Sequence, residues 1–265
     1  MNDLTGSEWL KRSFTIWRDI RKTKEERALK HPAMFPEQLA TQLIECYTKK
    51  INDDGKPSVI LDPFVGVGST LLAAQRIGRQ GIGTELNPNY VKIIKKRIKD
   101  SQDKKTSGPT PKIHRANALS IPKHLKPNSV DFCVTSPPYW DILNQKRTAD
   151  FKEIRTYSDS KKDLGNIDDY EKFLDLLEEI FSKVFKVLKP KGRCAVVVMD
   201  IRKKSKFYPL HIDLSTRMQK IGFELEEFAI WDRQHEYNFM TTLGFPWVFR
   251  FNKVHEFICI FMKPE

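Results

Sequence analysis

The chain has 265 residues, enough for one large domain or two small ones with a sizeable core. Hydrophobic residues make up 40% and charged residues 30%, ordinary values for a globular protein. No stretch has the length of apolar sequence needed to span a bilayer. Met1 to Trp9 lacks the basic flank and apolar block of a secretory leader, so a cytoplasmic protein with no membrane contact is expected.

Lysine and arginine number 46 against 34 aspartates and glutamates, a formal charge of +12. Such a surplus points to a polyanionic partner, because Lys and Arg release counterions from phosphates and steer encounter. Charge alone does not decide it, since basic proteins without such a partner are common. Cys46, Cys133, Cys194 and Cys259 are far apart and form no C-x-x-C pair, so no metal site is expected. The last three sit in apolar runs and read as buried, reduced thiols.

Residues 1–30 are mixed and polar and predict an N-terminal helical arm; residues 31–265 read as the main domain. The apolar spacing of Leu39, Leu43, Ile44 and Tyr47 predicts an amphipathic helix over 36–50. Val59–Leu61 reads as a short buried strand, followed by a glycine-bearing loop and a helix from Thr70 to Ile77 stopped by Gly78. Gly81–Glu85 is a second strand, Tyr90–Ile98 a basic helix and 100–112 a polar linker. Val130–Thr135 is a strand ending at Ser136-Pro137-Pro138. Residues 141–168 are weakly periodic and predict a long inserted mobile segment. Tyr170–Leu188 is a strong amphipathic helix stopped by Pro190 and Gly192. Cys194–Met199 is a buried strand, and Leu210–Ile221 a helix closed by Gly222. Phe228–Trp231 and Phe257–Met262 are the last strands, around an aromatic-rich excursion. Strands alternating with helices predict an α/β sheet with helices on both faces.

Asp62-Pro63-Phe64-Val65-Gly66-Val67-Gly68-Ser69-Thr70 follows a strand and opens a helix. In a doubly wound sheet that loop lies at the carboxyl end of a strand, where ligands bind. Gly66 and Gly68 permit a tight turn and close approach of a ligand. Thr70 can present its hydroxyl or cap the helix. The Asp62 carboxylate would repel a pyrophosphate and attract the ammonium of a methionine tail. Glu85 ends the next strand, where an acid can accept hydrogen bonds from ribose hydroxyls. The combination favours an adenosyl cofactor over a dinucleotide. The plainer reading is an ordinary strand-to-helix turn with solvated acids.

Ser136-Pro137-Pro138-Tyr139-Trp140 is the most specific stretch of the chain. Its prolines stiffen the turn and remove backbone donors. A planar amine placed there could donate one N–H to the Ser136 hydroxyl and another to the Pro137 carbonyl. Tyr139 offers a ring on which a base could stack. The alternative is a rigid aromatic turn that plugs the core.

Together these two stretches resemble the amino-methylating DNA methyltransferases, which act on cytosine N(4) or adenine N(6). Asp62–Thr70, with Phe64 within it, resembles their cofactor loop, and Glu85 takes the ribose place. Ser136–Tyr139 resembles their catalytic tetrapeptide in the form typical of the cytosine branch; adenine enzymes more often carry Asp or Asn at the Ser136 place. His31-Pro32-Ala33-Met34-Phe35-Pro36 resembles the turn before the family's first helix, which implies His31 and Phe35 near the methionine end. Asn117-Ala118 falls where the family contacts the cofactor adenine. His255–Phe261 matches the family's last strand.

The resemblance implies a Rossmann-like methyltransferase sheet, S-adenosylmethionine as cofactor without a metal, and double-stranded DNA as partner. A cognate restriction endonuclease is a further implied partner, although a solitary enzyme fits the motifs equally. Residues 31–265 would be the catalytic domain. With no large separate recognition domain visible, loops 202–209 and 232–254, with the 141–168 insert, are left to read the target.

The implied chemistry is direct transfer to a base swung out of the duplex. Carbon-5 methylation is rejected, because it needs a nucleophilic Cys normally beside a proline, and Cys133 lies within a strand. Competing readings are methylation of RNA or of a protein amide, and a DNA-binding subunit without catalysis. Arg202, Lys203, Lys204 and Lys206 are expected to flank the pocket as DNA contacts, with Trp140 either wedging near the flipped base or packing in the core. A second basic cluster, Lys92 to Lys99, reads as a solvated helix face.

Overall fold

The computed structural model describes residues 2–29, 34–102, 108–140, 164–203, 205–237 and 242–265. In chain order its elements are α1 (Gly6–Arg12), β1 (Ile16–Trp17), α2 (Lys24–Ala28), α3 (Glu37–Tyr47), β2 (Val59–Asp62), α4 (Ser69–Arg76) and β3 (Gln80–Glu85). Then follow α5 (Pro88–Gln102), β4 (Lys112–Arg115), β5 (Val130–Thr135), α6 (Tyr170–Val187), β6 (Leu188–Val198), β7 (Ile201–Lys203) and β8 (Lys206–Tyr208). The chain closes with α7 (Leu210–Ile221), β9 (Glu224–Asp232) and β10 (His255–Met262).

Eight strands form one sheet in the order β1-β9-β10-β6-β5-β2-β3-β4, and β7 pairs with β8 as a separate hairpin. Strand β10 runs antiparallel to both neighbours, while β9–β1, β6–β5, β5–β2, β2–β3 and β3–β4 are parallel. The order reverses between β2 and β5: from β2 the chain moves outward through β3 and β4, then returns to β5 on the other side. In open α/β sheets this reversal leaves a crevice at the carboxyl ends of the strands.

The central strands are continuous apolar runs because both faces are covered. Along β5, Phe132 and Val134 pack with Leu39, Leu43 and Ile44 of α3 on one face. Cys133 packs on the other face, with Phe173, Leu177 and Phe181 of α6. This is the period-two alternation of a strand, applied to two buried surfaces. Fully burying a side chain such as Phe132 contributes about 1.5–3 kcal/mol. The Asp169 side chain caps α6 by accepting from the Lys172 amide, and α7 ends at Gly222, φ 112°.

Several expectations change. The N-terminal arm, expected to be helical, has two short helices and also adds β1 to the sheet edge beside β9. The polar stretch 100–112 is not only linker: α5 extends to Gln102, and β4 begins at Lys112. Pro190 and Gly192 do not follow a helix stop at a distance. They lie within β6, which begins at Leu188, directly after α6, and is irregular opposite Val130–Phe132. Most of the 141–168 insert, residues 141–163, lies outside the described residues, as do His31 and Lys204. Among the described residues no helix is long and apolar enough to cross a membrane.

Candidate active site at the strand switch point

The loops after β2 and β5 emerge side by side and wall a cleft of about 830 Å³, open to solvent. Of the residues singled out from sequence, Phe35, Phe64, Gly66, Glu85, Asn117, Ala118, Ser136 and Pro138 line it. Met34, Ser69, Leu86, Tyr90, Leu164 and Ile180 line it as well and were not anticipated as site residues. A larger hollow of about 2310 Å³ lies at the opposite, amino end of the central strands, beneath the N-terminal arm.

Asp62 is not on the cleft wall. It is 1% exposed. Its Oδ2 accepts from the Thr70 hydroxyl at 2.6 Å, and its Oδ1 from the Thr135 hydroxyl at 2.6 Å and the Phe64 amide at 2.9 Å. The expected role as partner of a methionine ammonium is therefore replaced by a structural one. The carboxylate ties the start of α4 and the end of β5 to the end of β2. Thr70 likewise neither caps α4 nor faces the cleft; the cap position is Gly68, φ 96°. A Cβ on Gly68 would meet Ile94 at 3.3 Å, so this glycine serves the turn and the packing of α5. Gly83 of β3 was missed entirely: a Cβ there would lie 2.6 Å from the Asp62 carbonyl and against Val65. The loop can cross β3 this closely only because that side chain is absent.

Glu85 accepts from the Gly66 amide at 2.9 Å through Oε2 and from the Asn87 amide at 2.7 Å through Oε1. It thus shapes the glycine loop from the neighbouring strand, and it stands on the cleft wall as an acceptor of the kind ribose hydroxyls need. Asn117 Oδ1 accepts from the Leu119 amide at 2.9 Å, capping the 3-10 turn Ala118–Lys123. The Ser69 hydroxyl, at the N-terminus of α4, is buried in the cleft wall with no hydrogen-bond partner among the described residues. A helix N-terminus carries positive potential and unpaired amides, so a hydroxyl waiting there suits a carboxylate. The groups present therefore fit an amino-acid tail at the Ser69 end and a ribose at Glu85.

The catalytic stretch divides. Ser136 and Pro138 face the cleft, while Pro137 is buried and Tyr139 is 8% exposed. The Tyr139 hydroxyl points inward and donates to Glu256 Oε2 at 2.6 Å, so the ring does not present the open stacking face expected of it. Burial and the Glu256 carboxylate hold the phenol well above the usual tyrosine range, and it stays protonated. Trp140, 3% exposed, is core rather than wedge: it packs on Tyr170 and Tyr208 at ring distances of 5.1 and 5.0 Å. Cys133 is fully buried, and burial together with Cys194 pushes its thiol far up, away from thiolate chemistry.

Arg202, Lys203 and Lys206 lie on the β7–β8 hairpin beyond the carboxyl end of β6. Lys203 covers Trp140 at 3.9 Å, Arg202 covers Phe207 at 5.4 Å and Lys206 covers Tyr208 at 4.8 Å. The second basic cluster is structural in part, since Arg97 bonds the Glu37 carboxylate and the Val67 carbonyl; Lys92, Lys95, Lys96 and Lys99 are exposed.

Burial places the Asp62 carboxyl at about 6 in place of 3.8, against the opposing pull of its three donors. The folded state then holds the extra proton between those values. Stability should fall as pH rises from about 4 to about 6, by up to ~3 kcal/mol, and this contribution should be level above. Asp62→Asn cannot titrate, so its stability relative to the wild type should increase across that window. Urea unfolding at pH 4, 5, 6 and 7 measures this; parallel profiles for the two proteins would refute the buried tie.

The family model for DNA methylases of the N6/N4 type matches residues 2–96 and 130–265. The Type II methyltransferase M2.LlaDCHI of Lactococcus lactis subsp. cremoris is 42% identical over 84 residues, 31% of this chain and 29% of that protein. The Type II methyltransferase M2.DpnII of Streptococcus pneumoniae is 36% identical over 99 residues, 37% of this chain and 34% of that protein. The chain thus spans about a third of the length of these curated relatives. A solved S-adenosylmethionine-dependent methyltransferase from Methanosarcina mazei superposes with a TM-score of 0.53 at 15% identity, covering 84% of this chain and 97% of that one. That likeness shows the fold alone, a methyltransferase sheet as expected from sequence. Since the family model accounts for most of the protein on both sides of the unmatched stretch 97–129, the chain belongs to the N6/N4 DNA methylase family.

Proposed function

We propose that the protein transfers a methyl group from S-adenosylmethionine to the exocyclic amine of a base flipped out of double-stranded DNA, and that the base is cytosine, methylated at N(4). The observation that carries the reading is the cleft itself. One wall is the glycine loop with Glu85 and Ser69, and the other presents the Ser136 hydroxyl. The DNA methylase family model supports DNA as the substrate, and both an enzyme paired with a restriction endonuclease and a solitary one fit this reading.

When bound, the cofactor supplies an electrophilic sulfonium methyl. Ser69 and the α4 N-terminus would hold its carboxylate and Glu85 its ribose hydroxyls, with Phe64 and Ala118 as apolar wall. Ser136, on the cleft wall, would accept an N–H from the amine; the Pro137 carbonyl is the second acceptor expected from sequence, but Pro137 is buried and does not line the cleft. Such contacts would orient the amine for transfer, and alignment of this kind supplies much of the rate. The residues offer acceptors but no nucleophile, because Cys133 is sealed in β5. Cytosine is preferred over adenine because Ser136 replaces the acid or amide commoner in adenine enzymes.

We assign DNA contact to the β7–β8 hairpin together with residues 242–254. Lys253 lies 5.9 Å above the Phe207 ring, joining the two. Phe245, Trp247, Phe249 and Phe251 are 78–91% exposed beside Arg250 and Lys253, a mixture of rings and cations suited to bases and phosphates.

Labelled methyl from S-adenosylmethionine should enter duplex DNA and not an RNA of the same sequence; label in RNA alone would overturn the substrate. Ser69→Ala should weaken cofactor binding about tenfold or more, the worth of a hydrogen bond to a charged group. Calorimetry that finds unchanged affinity would remove Ser69 from the site. Arg202→Gln with Lys206→Gln should flatten the dependence of log K for DNA on log salt by up to about two units. An unaltered slope would mean that the hairpin does not touch phosphates.

A further inference from the structure

Behind Ser136 runs a chain of buried polar groups. The Tyr139 hydroxyl stands 3.0 Å from Ser136 Oγ and 2.6 Å from Glu256 Oε2. Glu256, on β10 and 4% exposed, is joined through Oε1 to Nη1 of Arg233. Arg233 follows β9 and is held in turn by Glu236, at 3.1 Å to Nε and 2.6 Å to Nη2. The phenol therefore crosses over β6, with the Val197 carbonyl 3.4 Å away, to reach a carboxylate two strands from its own.

The directions of these bonds follow from proton counting. An ionised carboxylate only accepts, so the Tyr139 proton goes to Glu256. Tyrosine has one proton to give, so in the contact with Ser136 the serine must be the donor. The serine proton is then committed inward, and the remaining lone pairs of its oxygen face the cleft that Ser136 lines. Arg233 keeps the arrangement from inverting. Its guanidinium takes Glu256 Oε1, which leaves Oε2 to accept from the phenol.

We propose that Arg233, Glu256 and Tyr139 are positioning residues that lock the Ser136 hydroxyl as an acceptor-only group, so that the cleft takes an exocyclic amine and rejects a ring carbonyl in its place. This rests on the proposed function, in which Ser136 receives the amine. Glu256 and Arg233 do not touch the substrate; they act through Tyr139. A purely structural account, in which the ion pair fastens β9 to β10, leaves two facts unused. Those strands are already paired by backbone from His255 to Met262, and the second oxygen of Glu256 is turned to Tyr139.

The test uses Tyr139→Phe, Glu256→Gln, their double variant, Arg233→Lys and Arg233→Met. For the folded full-length proteins, kcat and KM for duplex DNA, cofactor affinity and melting temperature are measured. Each of the first two should lower kcat tenfold or more, with cofactor affinity within twofold of wild type. The double variant should be no slower than the slower single, because the groups form one chain. Arg233→Lys should retain more kcat than Arg233→Met. Wild-type kcat in Glu256→Gln, or rate losses that multiply in the double variant, would overturn the proposal while leaving the methyltransferase reading intact.

A second measurement is independent of turnover. In protein labelled with 13C at tyrosine Cζ, the resonance missing from Tyr139→Phe belongs to Tyr139. That resonance should shift in Glu256→Gln, because the phenol loses its carboxylate acceptor. No shift would overturn the chain even if the wild type transferred no methyl to DNA, a result that by itself would count against the proposed function.

Discussion

The Asp62 carboxylate accepts from Thr70 at the start of α4, from Thr135 at the end of β5 and from its own loop at Phe64. Those three bonds join the two halves of the sheet where the strand order reverses. The loop that follows β2 keeps its course because Asp62 holds its root, Glu85 holds Gly66 from the side, and Gly83 leaves it room. Removing a buried acceptor with three donors strands every donor, which costs more than the bonds themselves contribute. The glycine loop and the serine loop are therefore one unit, although 73 residues separate Asp62 from Thr135 in sequence.

On that unit the cleft divides its labour. Its glycine-loop wall carries groups suited to a charged tail and a sugar: Ser69 at a helix N-terminus and Glu85 at a strand end. Its serine-loop wall carries an oxygen whose proton is drawn inward by Tyr139 and Glu256. Both walls depend on burial, because hydrogen bonds and charges gain strength where water is excluded. Outside the cleft, cations of the β7–β8 hairpin and the 242–254 excursion lie against rings, Lys206 exposed and Arg202, Lys203 and Lys253 half-buried.

Much of this was legible in the residues. The apolar runs Val59–Leu61, Val130–Thr135 and Cys194–Val198 are buried on both faces, and such runs announce central parallel strands. Ser136-Pro137-Pro138-Tyr139 and the glycine loop could be placed beside each other because both follow such strands. Strands β1 and β4 escaped notice because each is a sheet edge, two and four residues long, with no buried residue to set a period. The β7–β8 hairpin was read as a basic loop, because its charges hid the short strands beneath.

What local sequence could not reveal was the direction of side chains whose partners are remote. Asp62 has the charge to bind an ammonium, but hydroxyls from two other elements claim it first. Tyr139 has a face for stacking, but Glu256, 117 residues away, draws its hydroxyl inward. Trp140 could have wedged into DNA, but Tyr170, Tyr208 and Lys203 enclose it. Charge and ring are properties of a residue; burial and donor direction are properties of the packed chain.

The central claim is that the acceptor is an amine and the base is cytosine. Duplex DNA methylated by the protein, digested to nucleosides and resolved by mass spectrometry, tests it most directly. The account predicts N(4)-methylcytosine. N(6)-methyladenine would preserve the amine chemistry and overturn the base, and 5-methylcytosine would contradict the mechanism itself.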